Sequence, residues 1–417
     1  MKVRHPDFLP PPLTPVSRSS ADTLTLTYTV TTLTPIYGGG VTAGSCDLDM
    51  PVRVASIRGQ LRFWWRLLKS RHPAEPLQEQ ALFKAERALW GGMSEGDDDH
   101  ASQVRLRVAV SAKKPDLSLD SLKQRQTQKE RQDILDYVLF PARENKQSSA
   151  LIDAGLKFTL TVTCEARCSP AQRDEVRQTL RWWASFGGLG ARTRRGLGAI
   201  EVSEDGKVLA PVTVAEARAA GCALVTRKQH GQPMDAWFQA VEKLKDFRQK
   251  PGIARNPGSG PRPGRSRWPE PDSIREITGQ PNLTHNPDAP HQPVHPARRS
   301  FPRAALGLPI LFEFQDKKND PYKTELIPAG SERMASPLIL KPQALGNSQY
   351  ASIALCLPLD HLERLTLVLK RSGGNNQTLQ TLNRTQWWQD AKASQVKPIS
   401  DYQGTDAISA FLTYFGN

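Results

Sequence analysis

Leu24, Leu26, Tyr28 and Val30 alternate with Thr25, Thr27, Thr29 and Thr31. A period of two in β-branched company marks a strand with one face buried and the other in water. Such a strand requires neighbouring strands and a layer to cover its apolar side. The alternation returns in Val104–Val110 and again in Phe158–Cys164. Between these runs the spacing changes. From a start near Ser56, residues Ile57, Leu61, Trp64, Trp65 and Leu68 fall on one helical stripe, and Arg58, Arg62, Arg66 and Lys69 on another. A second helical stretch, Leu77 to Leu89, is closed by Gly91-Gly92.

Ser169, Pro170 and Gln172 make a strong helix start, with an N-cap, a proline in the first turn and the partner of a capping box. The apolar side of that helix is Val176, Leu180 and Trp183; Arg173, Arg177 and Arg181 form a parallel basic row, and Gly187 stops it. A last strand, Leu197–Val202, follows. Ser111–Ser149 is polar and reads as an insertion with a helix near Ile134–Leu139. The order strand, helix, strand, strand, helix, strand is the ferredoxin-like βαββαβ plan, which RNA-recognition folds share.

The chain has 417 residues, enough for two domains. In its second half Trp237, Val241 and Leu244 mark a helix, and strands are expected at Leu308–Phe314, Leu338–Leu340, Ser352–Leu357 and Leu365–Leu369. A helix carrying Trp387-Trp388 comes last; the pair repeats Trp64-Trp65 and Trp182-Trp183, a hint of related helices. Pro251–Arg299 is rich in Pro, Gly, Arg and His, a composition that offers little apolar surface to offset ordering entropy, so a mobile loop is expected there.

Lys and Arg number 56 against 42 Asp and Glu, a formal net charge of +14. That excess favours a polyanionic partner, since neutralising phosphates releases counterions, though a membrane surface or an acidic protein would also answer it. Five scattered cysteines make no metal-ligand framework and read as reduced thiols of an intracellular protein. The stretch Pro6 to Pro15 is proline-rich and unlike a targeting signal. No window holds the ~20 apolar residues of a membrane span. A cytoplasmic protein without membrane contact is expected.

Three segments carry candidate chemistry. Gly187-Gly188-Leu189-Gly190-Ala191-Arg192-Thr193-Arg194-Arg195-Gly196-Leu197-Gly198 places arginines among glycines. Bare backbone N–H groups can converge there on an anion, and Arg192, Arg194 and Arg195 can fork onto phosphate oxygens. No Gly-Lys-Ser/Thr follows, so this is not a nucleoside triphosphate loop. The second segment, Arg53 to Arg66, keeps Gly59 inside a helix at about 1 kcal/mol relative to Ala, as if a backbone or a phosphate came close; its tryptophans read as core, and Arg58, Arg62 and Arg66 as a phosphate-facing row or a solvated face. In the third, Tyr37 could stack on an unpaired base while Gly38, Gly39 and Gly40 admit a sugar-phosphate chain. With Gly187, Gly188 and Gly190, these are the expected RNA-binding residues. For each glycine-rich segment the plainer reading is a flexible turn.

Thr34-Pro35-Ile36-Tyr37-Gly38-Gly39, Ser56-Ile57-Arg58-Gly59-Gln60-Leu61-Arg62-Phe63-Trp64-Trp65-Arg66 and Phe186-Gly187-Gly188-Leu189-Gly190-Ala191-Arg192-Thr193-Arg194-Arg195-Gly196 occur in that order. In this the first half closely resembles the RAMP (repeat-associated mysterious protein) class of CRISPR proteins, and within it the first-numbered subunits of the Cmr complex, the type III-B effector. Gly307-Leu308-Pro309-Ile310 and Arg333-Met334-Ala335-Ser336-Pro337-Leu338 look like the family's C-terminal strands, and the Pro/Gly/His-rich span departs from a compact version of it. The resemblance implies an α+β fold of two tandem ferredoxin-like domains, here an N-terminal tail 1–22, a first domain 23–205 and a second domain 206–417 containing the insertion 251–299. It implies a subunit with no independent catalysis and no cofactor. Such a subunit sits near the guide RNA's 3′ region and engages single-stranded target RNA beside neighbouring RAMP subunits.

Two other functions stay open. RAMP relatives include enzymes that cut target RNA with an Asp in the loop after the first strand, and Asp47 and Asp49 occupy that loop here; either could bind a metal and activate an attacking group. No His lies close by in sequence. A purely structural scaffold is the other. Cation sites at Glu95–His100 or among His285, His291 and His295 compete with solvated turns and proline-spaced loops.

Overall fold

A computed structural model of the chain describes residues 23–42, 44–92, 101–111, 116–140, 151–259, 264–279, 292–314, 320–373 and 377–417. The expected tail 1–22, Glu95–His100, His285 and His291 lie outside these residues. The first unit runs β1 (Leu24–Thr32), α1 (Val54–Ser70), α2 (Glu79–Trp90), β2 (Val104–Val110), β3 (Lys157–Cys164), α3 (Pro170–Phe186) and β4 (Ile200–Glu204). Its antiparallel sheet has the order β2-β3-β1-β4, extended by a short strand Lys207–Val208. This is the ferredoxin-like arrangement, in which the first and third strands are central.

Register follows the alternation. Leu26 pairs with Val162, Tyr28 with Leu160 and Val30 with Phe158, and all six side chains are buried. The threonines between them, Thr25, Thr27 and Thr29, are exposed on the other face. The capping box at the start of α3 forms as expected: Gln172 N–H donates to Ser169 Oγ at 3.1 Å and Ser169 N–H to Gln172 Oε1 at 2.9 Å.

The second unit repeats the plan with β5 (Ala223–His230), α5 (Pro233–Gln249), β6 (Leu338–Gly346), β7 (Gln349–Cys356) and α7 (Ala407–Gly416), in the sheet order β6-β7-β5. Two further helices matter below: α4 (Val214–Ala219), ahead of β5, and α6 (Glu270–Thr278), between α5 and β6. Both faces of the second sheet are covered. Leu224, Ile339, Ile353 and Leu355 join one core with Trp64, Trp65, Trp182 and Phe186 of the first unit. Leu338, Leu340, Ala354 and Cys356 join another with Leu244, Phe247, Phe411 and Phe415 of α5 and α7. β6 is therefore buried without interruption from Leu338 to Ala344, the reading of a strand covered twice. The chain is an α+β protein of two tandem ferredoxin-like domains.

The span 251–299 departs from expectation in its described part. Trp268, Ile274 and Ala297 are buried there, and α6 carries a cluster of charges into the interior. Arg265 and Arg275 each meet Asp272 at 2.8 Å, Arg275 meets Asp320 at 2.8 Å, and Arg303 meets Glu270 at 3.1 Å. His295 is held neutral: its Nδ1 accepts from Ala297 N–H at 3.1 Å, so its Nε2–H donates to the Arg267 carbonyl at 3.1 Å. Burial pushes its pKa below the usual value. This histidine is a satisfied interior group rather than a metal ligand. Average composition conceals such a segment, because a few large anchors and paired charges order it instead of an apolar stripe.

A separate antiparallel sheet, formed by Ile310–Phe312, Thr324–Pro328, Leu367–Arg371 and Thr378–Leu382, was not foreseen as a unit. The helix Lys129–Val138 of the early insertion packs Ile134, Leu135 and Val138 against Trp237, Phe238 and Val241 of α5, and so joins the two domains. Trp387 and Trp388 are buried, as are the other two tryptophan pairs.

Candidate nucleic-acid interface

The three sequence segments meet in one place. Ala191 N–H donates to the Tyr37 carbonyl at 2.7 Å and Gly198 N–H to the Pro35 carbonyl at 2.8 Å. Thr34 Oγ1 donates to the Gly196 carbonyl at 2.6 Å and accepts from Ala199 N–H at 2.9 Å. Gln60 links α1 to this pair of loops. Its Oε1 accepts from Gly188 N–H at 3.1 Å and from Trp183 Nε1 at 3.2 Å, and its Nε2 donates back to the Gly188 carbonyl. Gln60 was not among the expected site residues. Its only signal was a neutral polar side chain beside the apolar stripe of α1.

The glycines are explained chiefly by the chain's own backbone. Gly190 has φ +76°, and a Cβ there would lie 2.6 Å from the Tyr37 carbonyl oxygen. At Gly196, with φ +77°, a Cβ would lie 2.5 Å from Trp237 Cδ1 and 2.6 Å from the Leu340 carbonyl oxygen, across the domain junction. Gly187 ends α3 in an extended conformation, where a Cβ would strike Trp183. Gly38 and Gly188 are buried in the same packing; Gly39 and Gly190 stay exposed side by side, and Gly40 is half-buried. Gly59 differs from all of these. It is exposed on α1 and a Cβ added there would meet nothing within 4 Å.

The arginines are largely engaged by protein. Arg194 donates to the Ser336 carbonyl and Arg195 to the Leu338 carbonyl at 3.2 Å, both in the second domain. Trp237 Nε1 returns a bond to the Arg195 carbonyl at 2.7 Å. Burial lowers the Arg195 pKa to about 10 and shifts Arg192 and Arg194 in the same direction. Arg192 donates to the Val138 carbonyl at 2.7 Å and remains partly exposed. Lys341 of β6 is fully buried and donates to the Gly187 carbonyl at 2.7 Å. The glycine- and arginine-rich loop is thus a joint between domains. In α1, Arg58 donates to the Trp90 and Val104 carbonyls and to Ser102 Oγ, while Arg62 and Arg66 converge on buried Glu86 of α2. Arg58 is held by the backbone of neighbouring elements, while Arg62 and Arg66 pair with Glu86 and stay partly exposed to solvent.

Tyr37 is 5% exposed and sits in a small sheet opposite Leu151, so its ring is no open stacking platform. Burial raises its phenol pKa, with Arg192 opposing. Asp47 closes a turn: its Oδ1 accepts from Asp49 N–H at 3.1 Å and Met50 N–H at 2.9 Å, and its Oδ2 pairs with Arg53 at 3.2 Å. Those bonds hold its carboxyl below the usual range. Among the described residues no group of three or more His, Cys, Asp or Glu is placed to hold a metal ion, and no helix is long and apolar enough to cross a membrane.

No curated protein matches the chain. Solved structures similar to it include the following two. The apo form of Cmr1 from Pyrococcus furiosus is 15% identical with a TM-score of 0.44, over 80% of this chain and 87% of that one. A chain of the type III-B Cmr-beta complex bound to cognate target RNA is 10% identical with a TM-score of 0.44, over 90% of this chain and 99% of that one. Residues 29–201, from within β1 into β4, match the family described as the RAMP superfamily.

Proposed function

We propose that the chain is a non-catalytic RNA-binding subunit of a type III-B CRISPR effector complex, acting in antiviral defence beside other RAMP subunits. Its ligand is the 3′ region of the guide RNA, single-stranded target RNA, or both. One observation carries this reading: segments around residues 37, 60 and 190 converge so that Gly39 and Gly190 lie together at the surface next to partly exposed Arg192. Backbone free of side chains, beside a guanidinium and on a chain of net charge +14, suits a sugar-phosphate strand. Gly59, one residue from Gln60, leaves a further open approach on α1. Arg194, Arg195 and Arg58 support the surface through their bonds to protein, and Arg62 and Arg66 remain partly exposed beside Glu86. The hydrogen-bonded Asp47 carboxylate favours binding over cleavage, because its lone pairs already serve a turn.

The test is RNA binding across a salt series, with ultraviolet cross-links mapped onto the chain. Affinity for single-stranded RNA should fall linearly on a log-log plot, and the RNA should stay at full length. Arg192→Glu should flatten the slope by about one, the share of a single phosphate contact. Cross-links should fall at 38–41 and 190–192. Cross-links confined to other surfaces, or shortening of the RNA by the purified chain, would refute the proposal.

A further inference from the structure

The two domains repeat one plan but differ at one edge. In the first, β4 pairs along β1 from Thr29↔Ser203 to Thr32↔Ile200. In the second, β5 holds the place of β1. β7 pairs one of its sides, and among the described residues no strand pairs the other. Over Ala223–His230 the N–H and C=O groups of that side have no backbone partner among the described residues.

A groove lies ahead of β5 in the chain, and its lining residues are outside the strand. Ala219 and Ala220, just ahead of β5, form one wall of a cleft of about 550 Å³, and Trp65, Leu68 and Trp182 of α1 and α3 line others. Alternating donors and acceptors at strand spacing are matched by an extended polypeptide, whereas a nucleic-acid backbone offers phosphate acceptors without the alternation. β5 also carries Arg227 and Lys228 and no carboxylate. Arg227 is bonded to the Phe415 carbonyl, which leaves Lys228 as the exposed cation of the edge.

We propose that β5 is completed by an extended strand from a neighbouring protein subunit, with carboxylates beside Lys228. The proposal rests on the reading of the chain as a subunit of an assembly. The alternative is a solvated edge on which lysine merely discourages strand pairing.

Hydrogen exchange of the β5 amides separates the two. It is measured on the full chain alone and on the complex captured through a tag on this chain, with and without ribonuclease. A benzophenone amino acid at position 228 reports the neighbour. In the complex the β5 amides should exchange roughly tenfold more slowly, the protection should survive ribonuclease, and the photo-adduct should map to an extended stretch of one RAMP subunit. A complex that forms while β5 exchanges as in the free chain overturns the strand and leaves the assembly reading intact, and so does an adduct formed only with RNA. Failure of any RAMP subunit to co-purify refutes both.

Discussion

Lys341 offers a sharp test of how the domains are joined. Its ammonium is fully buried, and its hydrogen bond goes to the Gly187 carbonyl at the end of α3. Burial pushes its pKa from 10.5 down to about 7. A folded value below the unfolded one means that the native chain binds fewer protons between about pH 7 and 10.5. Stability therefore climbs with pH through that window, and the whole penalty of a buried charge is present below it. At about 1.4 kcal/mol for each pH decade, the penalty at pH 7 comes to roughly 4–5 kcal/mol. Lys341→Met keeps the volume and removes the charge but leaves the Gly187 carbonyl unpaired, a loss of about 1–3 kcal/mol. The variant should thus be more stable than the parent by about 1–4 kcal/mol at pH 7, and this advantage should shrink as pH rises and reverse before pH 10.5, where only the lost hydrogen bond remains. Urea denaturation of both proteins at pH 7, 8 and 9 measures the difference. A variant less stable at pH 7, or a difference that does not change with pH, would show that the lysine is charged and well satisfied, and the reasoning from burial would fail.

Gly59→Ala should stabilise the chain by about 0.5–1 kcal/mol, since a Cβ there enters open space and a helix-interior glycine is replaced. If RNA approaches α1 at this point, the same variant should bind more weakly; a fall in its denaturation midpoint would contradict the open geometry. Because burial lowers the His295 pKa, its neutral form is favoured in the native state, and the parent should lose stability as pH falls below about 6.5. His295→Gln should flatten that slope in thermal melts between pH 5 and 7, and an equal slope in both proteins would place the titration elsewhere.

Much of the first domain was legible because its information is local. Alternation in Leu24–Thr32 tells which side chains face the core, and Ser169 with Gln172 marks where α3 begins, whatever the rest of the chain does. The second domain was harder for a physical reason. β6 and β7 are covered on both faces, so their sequences lack the alternation that reveals a strand. In the described part of 251–299, order comes from single anchors such as Trp268 and from ion pairs with residues far along the chain, such as Asp320.

The sequence by itself determined the order of elements in the first half, the positive charge, and the three glycine- and arginine-bearing segments. The tertiary structure alone decided what those segments touch. A guanidinium offers the same fork to a phosphate as to a carbonyl, and only folding brings the Ser336 and Leu338 carbonyls to Arg194 and Arg195. A glycine admits any close neighbour, and the neighbour at Gly190 is Tyr37 while at Gly59 it is open space. Local pattern fixes conformation, but the partner of a hydrogen bond between residues more than a hundred positions apart exists only once the chain has closed on itself.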